Sequence, residues 1–362
     1  MKTIKFIGDS SVEKQFVATL RKNVNDYFKQ KGISVKGNHT MYIKSVVMLS
    51  LYVLPFVLLL IVPMAAWVAV VFVIVMGIGE AGIGMSVMHD ASHGAFSNKK
   101  TVNEFFSSTM FLLGSNTFNW KIQHTVLHHT FTNIYGYDPD IDTKAVIRLS
   151  EHAPHKRYHR YQYFFACLLY GFMTLFKLVA DISQLLDFSR KGITRQHGRN
   201  PGLEMFKLLV TKVVYFSLII GLPLWLTDFK WWQVLTGFSI LHLTAGIIMS
   251  TVFQMAHVVE GARQPLPDSN GVIHHEWIVH ELMTTSDFAR GNHFLNWYIG
   301  GLNFQIEHHL FPNICHIHYR DIAPIVEKTA LEFGFAYNLK PSFTAAFLSH
   351  ARRLKELGKS KS

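Results

Sequence analysis

Long apolar stretches separated by polar segments dominate the hydrophobic pattern of this chain. Met41 to Met88 contains only two residues with fixed charges, Lys44 and Glu80. Since one membrane-crossing helix needs about 20 apolar residues, this stretch is long enough for two, with a break near Val62 to Met64. Two more apolar stretches follow later in the chain. The pattern therefore predicts four transmembrane helices, at about 43–63, 66–88, 206–226 and 232–251.

The segments around these helices define the expected organisation of the chain. Residues 1–40 are expected to form an N-terminal cytoplasmic segment, 41–330 a single membrane domain and 331–362 a cytoplasmic tail. Residues 161–180 are apolar and aromatic, but their basic flanks fit an interfacial or buried helix as well as a span. The expected fold class is an all-α integral membrane protein, with four transmembrane helices in two hairpins capped by a helical cytoplasmic domain.

Lysine and arginine are distributed unevenly over the polar segments. Residues 1–44 hold nine, 93–204 hold thirteen and 255–362 hold ten, whereas the two short connections hold only Lys230. The positive-inside rule therefore places both termini and the central segment in the cytoplasm. The net charge of +11 suits an anionic membrane surface or an acidic protein partner. Nucleic acid is a weaker alternative, because no nucleic-acid-binding motif accompanies the charge.

Three groups of residues among the 21 histidines have the spacing of metal ligands. A helix places residues four apart on one face, so that both imidazoles can reach one metal. Adjacent histidines diverge on a helix, so a doublet can serve two neighbouring metals. Imidazole suits iron, zinc, copper and nickel. The groups are His89 with His93, His124 with His128 and His129, and Gln305 with His308 and His309.

The predicted topology brings these groups to one side of the membrane. The second transmembrane helix ends near Met88, so that His89 emerges at its cytoplasmic end. The fourth helix runs in the same direction, and His257 emerges at the same side. The other two groups lie in segments already assigned to the cytoplasm. Any one group alone is ordinarily a solvated surface, but their combination with the topology favours a two-metal centre.

Other polar positions have less specific interpretations. Glu80 is an acid within a predicted membrane helix, and it has either a functional role or a buried partner such as His242. The glycines of residues 77–82 match a dinucleotide-binding pattern by letters, but close helix packing explains them better. Two further histidine groups predict a basic interfacial or carrier-binding patch and a solvated loop. They are His152, His155 and His159, and His274, His275 and His280, respectively.

The histidine groups in combination resemble those of the membrane fatty-acid desaturase family. The stretches that carry the resemblance are His89-Asp-Ala-Ser-His93-Gly-Ala-Phe, His124-x-x-x-His128-His129 and Gly300-Gly-Leu-Asn-Phe-Gln305-Ile-Glu-His308-His309-Leu-Phe-Pro312. The resemblance extends over roughly residues 40–330. Gln305 stands where other branches carry a histidine, as in the front-end subgroup. Members of that subgroup insert a double bond between an existing one and the carboxyl end, often at the Δ5 or Δ6 position.

The resemblance also implies a metal site and its ligands. It implies two iron ions, with O2 as co-substrate. The neutral amide of Gln305 is a poorer ligand and is expected to act beside the ligand set, and Asp90 and Glu307 are expected to orient imidazoles. The implied ligands are His89, His93, His124, His128, His129, His257, His308 and His309.

The implied activity is O2-dependent desaturation of a CoA- or lipid-linked acyl chain, which introduces a cis double bond. A di-iron hydroxylase or ketolase acting on lipid is the nearest alternative, and a non-catalytic metal or haem membrane protein is another. The His-Pro-Gly-Gly haem motif of fused cytochrome b5 domains does not occur in these 362 residues. Electrons are therefore expected from a separate ferredoxin or cytochrome b5 with its reductase, docked on the basic face.

Overall fold

Four long apolar helices form the centre of the fold. The computed structural model describes residues 4–8, 10–143 and 146–359. Within these ranges, four helices are long and apolar enough to cross a membrane, which confirms the predicted number. They are His39–Ile61, Ala66–Ser92, Pro201–Leu226 and Trp231–His257, and are called the first to fourth apolar helices.

The apolar helices are longer than the hydrophobic pattern predicts, because polar residues extend them. The first begins after Asn38, whose side-chain oxygen accepts a hydrogen bond from the backbone N–H of Thr40 at 2.9 Å. The third has Pro201 in its first turn, where the missing N–H has no helical partner. The second and fourth continue into His89 and His257, which are buried. The helices therefore run from the apolar layer into the histidine region without a break.

Glycines allow the second apolar helix to pack closely on its neighbours. A Cβ atom at Gly77 would lie 2.7 Å from the carbonyl oxygen of Leu241 in the fourth helix. One at Gly79 would lie 2.8 Å from the backbone of Leu51 in the first. Both distances are too short for a real Cβ, so only glycine permits these contacts. The glycine pattern therefore serves helix packing, as the sequence indicated.

Shorter helices surround one end of the apolar helices. The helix Ser11–Lys31 packs against Tyr319–Glu332 around a core that includes Phe16, Leu20 and Val326. The C-terminal helix, Phe343–Leu357, packs on the fourth apolar helix. The other α-helices are Lys100–Ser108, Thr117–Trp120, His129–Phe131, Gln162–Gly171, Met173–Arg190, Ile193–Gln196, Trp277–Thr284, His293–Tyr298 and Gln305–Leu310. The 3-10 helices are Thr109–Leu113, Arg157–Tyr161 and His316–His318, and the π-helices are Ile83–Met88, Lys121–His128 and Ser217–Gly221.

Two short parallel strand pairs join distant parts of the polar region. Lys5–Phe6 pairs with Val272–Ile273, and Asp287–Phe288 pairs with Leu339–Lys340. The second pair connects the segment before the third histidine group to the segment before the C-terminal helix. Residues 360–362 of the predicted tail lie outside the described residues.

The aromatic stretch at residues 161–180 forms a bent pair of helices. Arg157–Gly171 and Met173–Arg190 meet at an angle of 74°, and they pass the length and hydropathy criteria for a span only together. The bend fits either a broken span or a re-entrant segment, so the choice between a span and an interfacial or buried helix stays open.

Candidate metal centre

Two π-helices position the first two histidine groups. Ile83–Met88 directly precedes His89, and Lys121–His128 carries the second group. A π-helix pairs residue i with i+5, and such turns are frequent at functional sites. Residues five apart are therefore drawn towards one side: the ring centroids of His124 and His129 are 4.9 Å apart, closer than the 5.4 Å between His124 and His128.

All eight predicted histidines converge into one cluster, which contains two neighbouring sets of possible ligands and His129 between them. Within each of these two sets, one ligand atom per residue lies within 4.8 Å of the others. His129 lies between the two sets, with its ring centroid 4.7 Å from that of His93 and 4.3 Å from that of His309. One set of possible ligands is His89, His93, His124 and His308, and the other is His128, His257 and His309.

The nitrogen atoms of the cluster have the chemistry of a metal site. Many of them are buried and lack any hydrogen-bond partner among the described residues, which is costly unless a ligand satisfies them. The Nε2 atoms of His89 and His124 lie 3.1 Å apart. Adjacent nitrogen ligands about 2.1 Å from one metal have a similar spacing. The partnerless atoms are Nε2 of His93, His128, His308 and His309, both ring nitrogens of His129, and Nδ1 of His89 and His257. The residues present therefore fit a pair of imidazole-bound transition-metal ions.

Buried carboxylates contact two of the imidazoles at Nδ1, the ring nitrogen opposite Nε2. Nδ1 of His128 lies 3.0 Å from Oδ2 of Asp138, and Nδ1 of His309 lies 2.7 Å from Oε2 of Glu281. All four side chains are fully buried. A carboxylate on one ring nitrogen fixes the orientation of the ring and leaves the opposite nitrogen available to a metal. These contacts therefore aim Nε2 of both histidines into the cluster.

Burial keeps most imidazoles outside the apolar helices in the neutral, metal-binding form. It lowers the pKa of His129, His308 and His309 well below the ordinary value, and neighbouring imidazoles lower it further. The pKa of His124 falls to about 3, chiefly through burial. His128 differs: burial lowers its pKa, but the charges of Asp138 and Asp140 outweigh that effect and the pKa is raised.

The amide of Gln305 contacts the histidine of the fourth apolar helix. Its Nε2 lies 2.9 Å from Nε2 of His257, so the amide donates to that nitrogen, while Nδ1 of His257 is buried and has no hydrogen-bond partner among the described residues. Glu307, in contrast, accepts a hydrogen bond from the hydroxyl of Tyr337 at 2.9 Å, and no hydrogen bond or ion pair joins it to an imidazole among the described residues. Gln305 thus lies beside the cluster, whereas Glu307 belongs to a separate buried network with Asp287.

Asp90 connects His89 to residues 315 and 316, which follow the third histidine group in the sequence. Its Oδ2 lies 2.8 Å from Nδ1 of His316 and 3.0 Å from Sγ of Cys315, while its Oδ1 lies 3.8 Å from Nδ1 of His89. Nζ of Lys44 lies 2.5 Å from Nε2 of His316. A buried carboxylate and a buried ammonium thus face each other across one imidazole.

Sequence reasoning missed several residues that surround the cluster. Asp138 and Asp140 lie within about a dozen residues after the second histidine group, and this closeness in sequence was an available signal. Glu281 directly follows His280, the last member of the histidine group that the sequence predicts to be a solvated loop. That prediction agrees with the exposed His274 and is wrong for His280. His280 and Glu281 are buried in the helix Trp277–Thr284, because this helix packs beneath the third histidine group. Nε2 of His280 lies 2.9 Å from the carbonyl oxygen of Thr132.

Other polar residues that the sequence pattern singled out are also buried, although they lie outside the histidine cluster. His159 is fully buried, so the predicted basic patch does not include it as a surface group. Glu80 lies beside His242, with 3.6 Å between Oε1 and Nδ1, and His242 also contacts the hydroxyl of Tyr215 at 2.8 Å. This arrangement favours the interpretation of Glu80 as a buried partner of His242.

Membership of a protein family follows from comparison of the whole chain. Residues 34–341 match the fatty acid desaturase family, and the chain belongs to it. It is therefore a desaturase, an oxidoreductase. It is 35% identical to a protein of Synechocystis sp. named sn-1 linoleoyl-lipid 6-desaturase, over 95% of this chain and 96% of that protein. An Arthrospira platensis protein of the same name is 34% identical over 94% and 92%. An acyl-lipid (8-3)-desaturase of Physcomitrium patens is 32% identical over 95% and 72%.

Proposed function

We propose that this chain is a front-end desaturase that introduces a cis double bond into a lipid-linked acyl chain in an O2-dependent reaction. The observation that supports this most directly is the cluster of eight histidines, seven of which have a buried ring nitrogen without a hydrogen-bond partner among the described residues. Family membership over residues 34–341 favours desaturation over hydroxylation or ketolation. The relatives named 6-desaturase and (8-3)-desaturase favour attack near the carboxyl end and a lipid carrier rather than CoA.

Two iron ions are the cofactors that this donor set suits. The proposed ligands of one are His89, His93, His124 and His308, those of the other are His128, His257 and His309, and His129 lies between them. Iron supplies the power to activate O2 and remove hydrogen from an unactivated methylene, which no side chain can do. His128 and His309 would keep their protons on Nδ1, donating to Asp138 and Glu281, so that Nε2 is free for metal.

The protein's own contribution is positioning and exclusion of water. Seven of the eight histidines are buried, so the reacting methylene would be held away from bulk solvent. The second and fourth apolar helices both end in the cluster, so an acyl chain lying between apolar helices can reach it from the bilayer. Gln305 would hold His257 through its amide.

We further propose that both termini and the site face the cytoplasm and that the apolar helices form two hairpins. The excess of lysine and arginine outside the short connections supports this orientation. Electrons would come from a separate ferredoxin or cytochrome b5 with its reductase. Reporter fusions after residue 64, after Lys230 and at the C-terminus test the topology, because only the first two should report the far side.

Product analysis in cells tests the activity. Cells that express the chain are fed defined polyunsaturated fatty acids, and new double bonds are located by gas chromatography with mass spectrometry. We expect a new bond between the existing one and the carboxyl end. The variant His128→Ala should lose the product and most of the iron, whereas the exposed His197→Ala should keep both. A hydroxylated product, or full activity in His128→Ala, would contradict the proposal.

A further inference from the structure

A polar cavity of about 320 Å³ opens beside the first histidine group. Its walls include Ala91, Ser92 and Gly94, which flank His93. His93 is the one partly exposed member of the eight-histidine cluster, whereas the other seven are buried. The cavity therefore lies at the side on which the cluster comes closest to solvent.

Three lysines give this cavity a net positive lining. Lys36, Lys100 and Lys121 contribute ammonium groups, and Glu104 is the one carboxylate among its lining residues. Glu104 is already engaged, since its Oε1 lies 3.8 Å from Nζ of Lys100. Lys36 donates to the carbonyl oxygen of Asn313 at 3.0 Å, which anchors its side chain over the cavity. The lining thus holds more positive charge than its own carboxylate neutralises.

Lys121 is the least satisfied of these cations. It is half-buried, and no hydrogen bond or ion pair within 4 Å engages its ammonium group among the residues that the structure describes. Burial lowers the pKa of Lys121, and the positive charges of Arg199 and Lys100 lower it further, with Glu104 opposing them. An anion bound in the cavity would supply the missing counter-charge.

The loop that follows the first histidine group supplies polar groups to the cavity. The side-chain oxygen of Asn103 accepts a hydrogen bond from the backbone N–H of Ser97 at 3.0 Å, and its amide donates to the carbonyl of Ser97 at 2.7 Å. This pair fixes the loop that follows the first histidine group. Asn98, in the same loop, is exposed and lines the cavity. The cavity therefore presents both positive charge and hydrogen-bonding groups, which suits a polar anion.

We propose that this cavity binds the phosphate-bearing head of the acyl substrate. The inference rests on the proposed desaturase function and adds the chemistry by which the carrier is recognised. Phosphate oxygens match the three ammonium groups, and a lysine binds phosphate as a point charge. A phospholipid head and the phosphates of CoA share this chemistry, whereas a neutral glycolipid head lacks it.

The position of the cavity fixes a bound head group relative to the histidine cluster. Lys121 begins the π-helix that carries His124, and Gly94 directly follows His93. A head group held here is fixed relative to both histidine groups by elements that also carry the proposed metal ligands. The acyl chain would then be measured from its head, and the carbon that reaches the metals would be set by its distance from the carboxyl end. This is the physical requirement of front-end selectivity.

Steady-state kinetics of the iron-loaded full chain in detergent micelles test the proposal. Linoleoyl groups are presented on phosphatidylglycerol, on CoA and on a neutral galactosyl diacylglycerol. The variant Lys121→Gln should raise KM roughly tenfold for the phosphate-bearing carrier that is the substrate, with kcat little changed, since a charge-assisted contact is lost. The KM for the neutral carrier should not move. The matched control Lys328→Gln removes an exposed lysine paired with Glu332 and should change no KM.

The arms of the experiment separate the possible outcomes. An effect confined to phosphatidylglycerol identifies a phospholipid head, and one confined to the CoA ester identifies the nucleotide carrier. Equal KM values for neutral and phosphate-bearing carriers in the unaltered chain would overturn the proposal, as would an equal change for every carrier in Lys121→Gln. If that variant does not fold, Lys100→Gln, at an exposed position, replaces it with the same expectations.

A binding measurement keeps the two proposals independent. Equilibrium dialysis of the chain against dihexanoylphosphatidylglycerol, and separately against CoA, requires no turnover. Binding of one probe that weakens roughly tenfold in Lys121→Gln supports the cavity even if no substrate is desaturated. The absence of desaturated product from every carrier, with binding intact, would refute the proposed activity alone. Unchanged binding in Lys121→Gln would refute the head-group site.

Discussion

Oε2 of Glu281 lies 2.7 Å from Nδ1 of His309, and both side chains are fully buried. Thr132 donates a hydrogen bond to the same carboxylate oxygen at 2.8 Å, so the carboxyl is held from two sides. This relationship connects the second and third histidine groups through a residue that belongs to neither. Its consequence is a fixed direction for Nε2 of His309.

Replacing Glu281 should therefore weaken metal binding without removing a proposed ligand. We expect Glu281→Leu to lower iron affinity by about 10–100-fold, because loss of such a carboxylate frees the ring. Glu281→Gln keeps an acceptor for Nδ1 and should lose less. Iron content of purified protein after dialysis against graded chelator measures this. Glu332→Gln, which removes an exposed carboxylate, is the control, and equal iron retention in all variants would contradict the expectation.

The imidazole of His316 between Asp90 and Lys44 predicts a strong coupling between two buried charges. In Lys44→Met the Asp90 carboxylate would lose the ammonium that faces it across His316. We expect the free energy of unfolding to fall by about 1–3 kcal/mol, because the buried ring nitrogen of His316 loses its partner and Asp90 loses a nearby positive charge. The double variant Lys44→Met with Asp90→Asn should recover part of that loss. Denaturant titration in mild detergent measures both, and additive losses would show that the charges are uncoupled.

His350 predicts a pH dependence of stability. Burial lowers its pKa to about 4, although the carbonyl of Val258 raises it, and Tyr170 donates to its other nitrogen. The unfolded chain binds a proton at about pH 6.5, so stability is complete above that value and is lost as pH falls from about 6.5 to 4. The loss attributable to this group is roughly 3 kcal/mol.

The variant His350→Gln isolates this contribution. Its unfolding midpoint should be lower than that of the unaltered chain at pH 7.5, and the difference should shrink towards pH 4. Thermal unfolding at several pH values gives the comparison. A difference that stays constant with pH would show that His350 does not titrate in this range.

Gly246 predicts a steric limit at the contact between the fourth apolar helix and the helix Gln162–Gly171. A Cβ atom at Gly246 would overlap the carbonyl group of Gly171, which is backbone and cannot rotate away. We expect Gly246→Ala to lower stability by at least about 1–3 kcal/mol. Gly237 lies in the same helix, but its Cβ would meet only Val73 at 3.6 Å. Gly237→Ala is therefore the matched control and should be neutral or stabilising in thermal unfolding.

Local periodicity in the sequence was sufficient to find the apolar helices and the histidines. A transmembrane helix is specified by about 20 consecutive apolar residues, and a pair of imidazoles by residues four apart, so both signals are contained in a short window. The family resemblance of the three groups was likewise visible in the sequence. The ends of the helices could not be predicted in the same way. The second and fourth helices continue beyond their apolar stretches to His89 and His257, which other segments of the chain bury.

Only the tertiary structure decided which residues surround the cluster. Thr132 and Glu281 are 149 positions apart, and Asp90 and His316 are 226 apart, so no local pattern connects them. His280 was predicted to lie in a solvated loop because its spacing from His274 and His275 matches none of the three ligand groups, and no signal in the sequence indicated Glu281. Packing of their helix beneath the third histidine group buries them instead. The cavity at Lys121 likewise exists only because residues 36, 91–104 and 121 fold together, where unneutralised charge becomes a binding site.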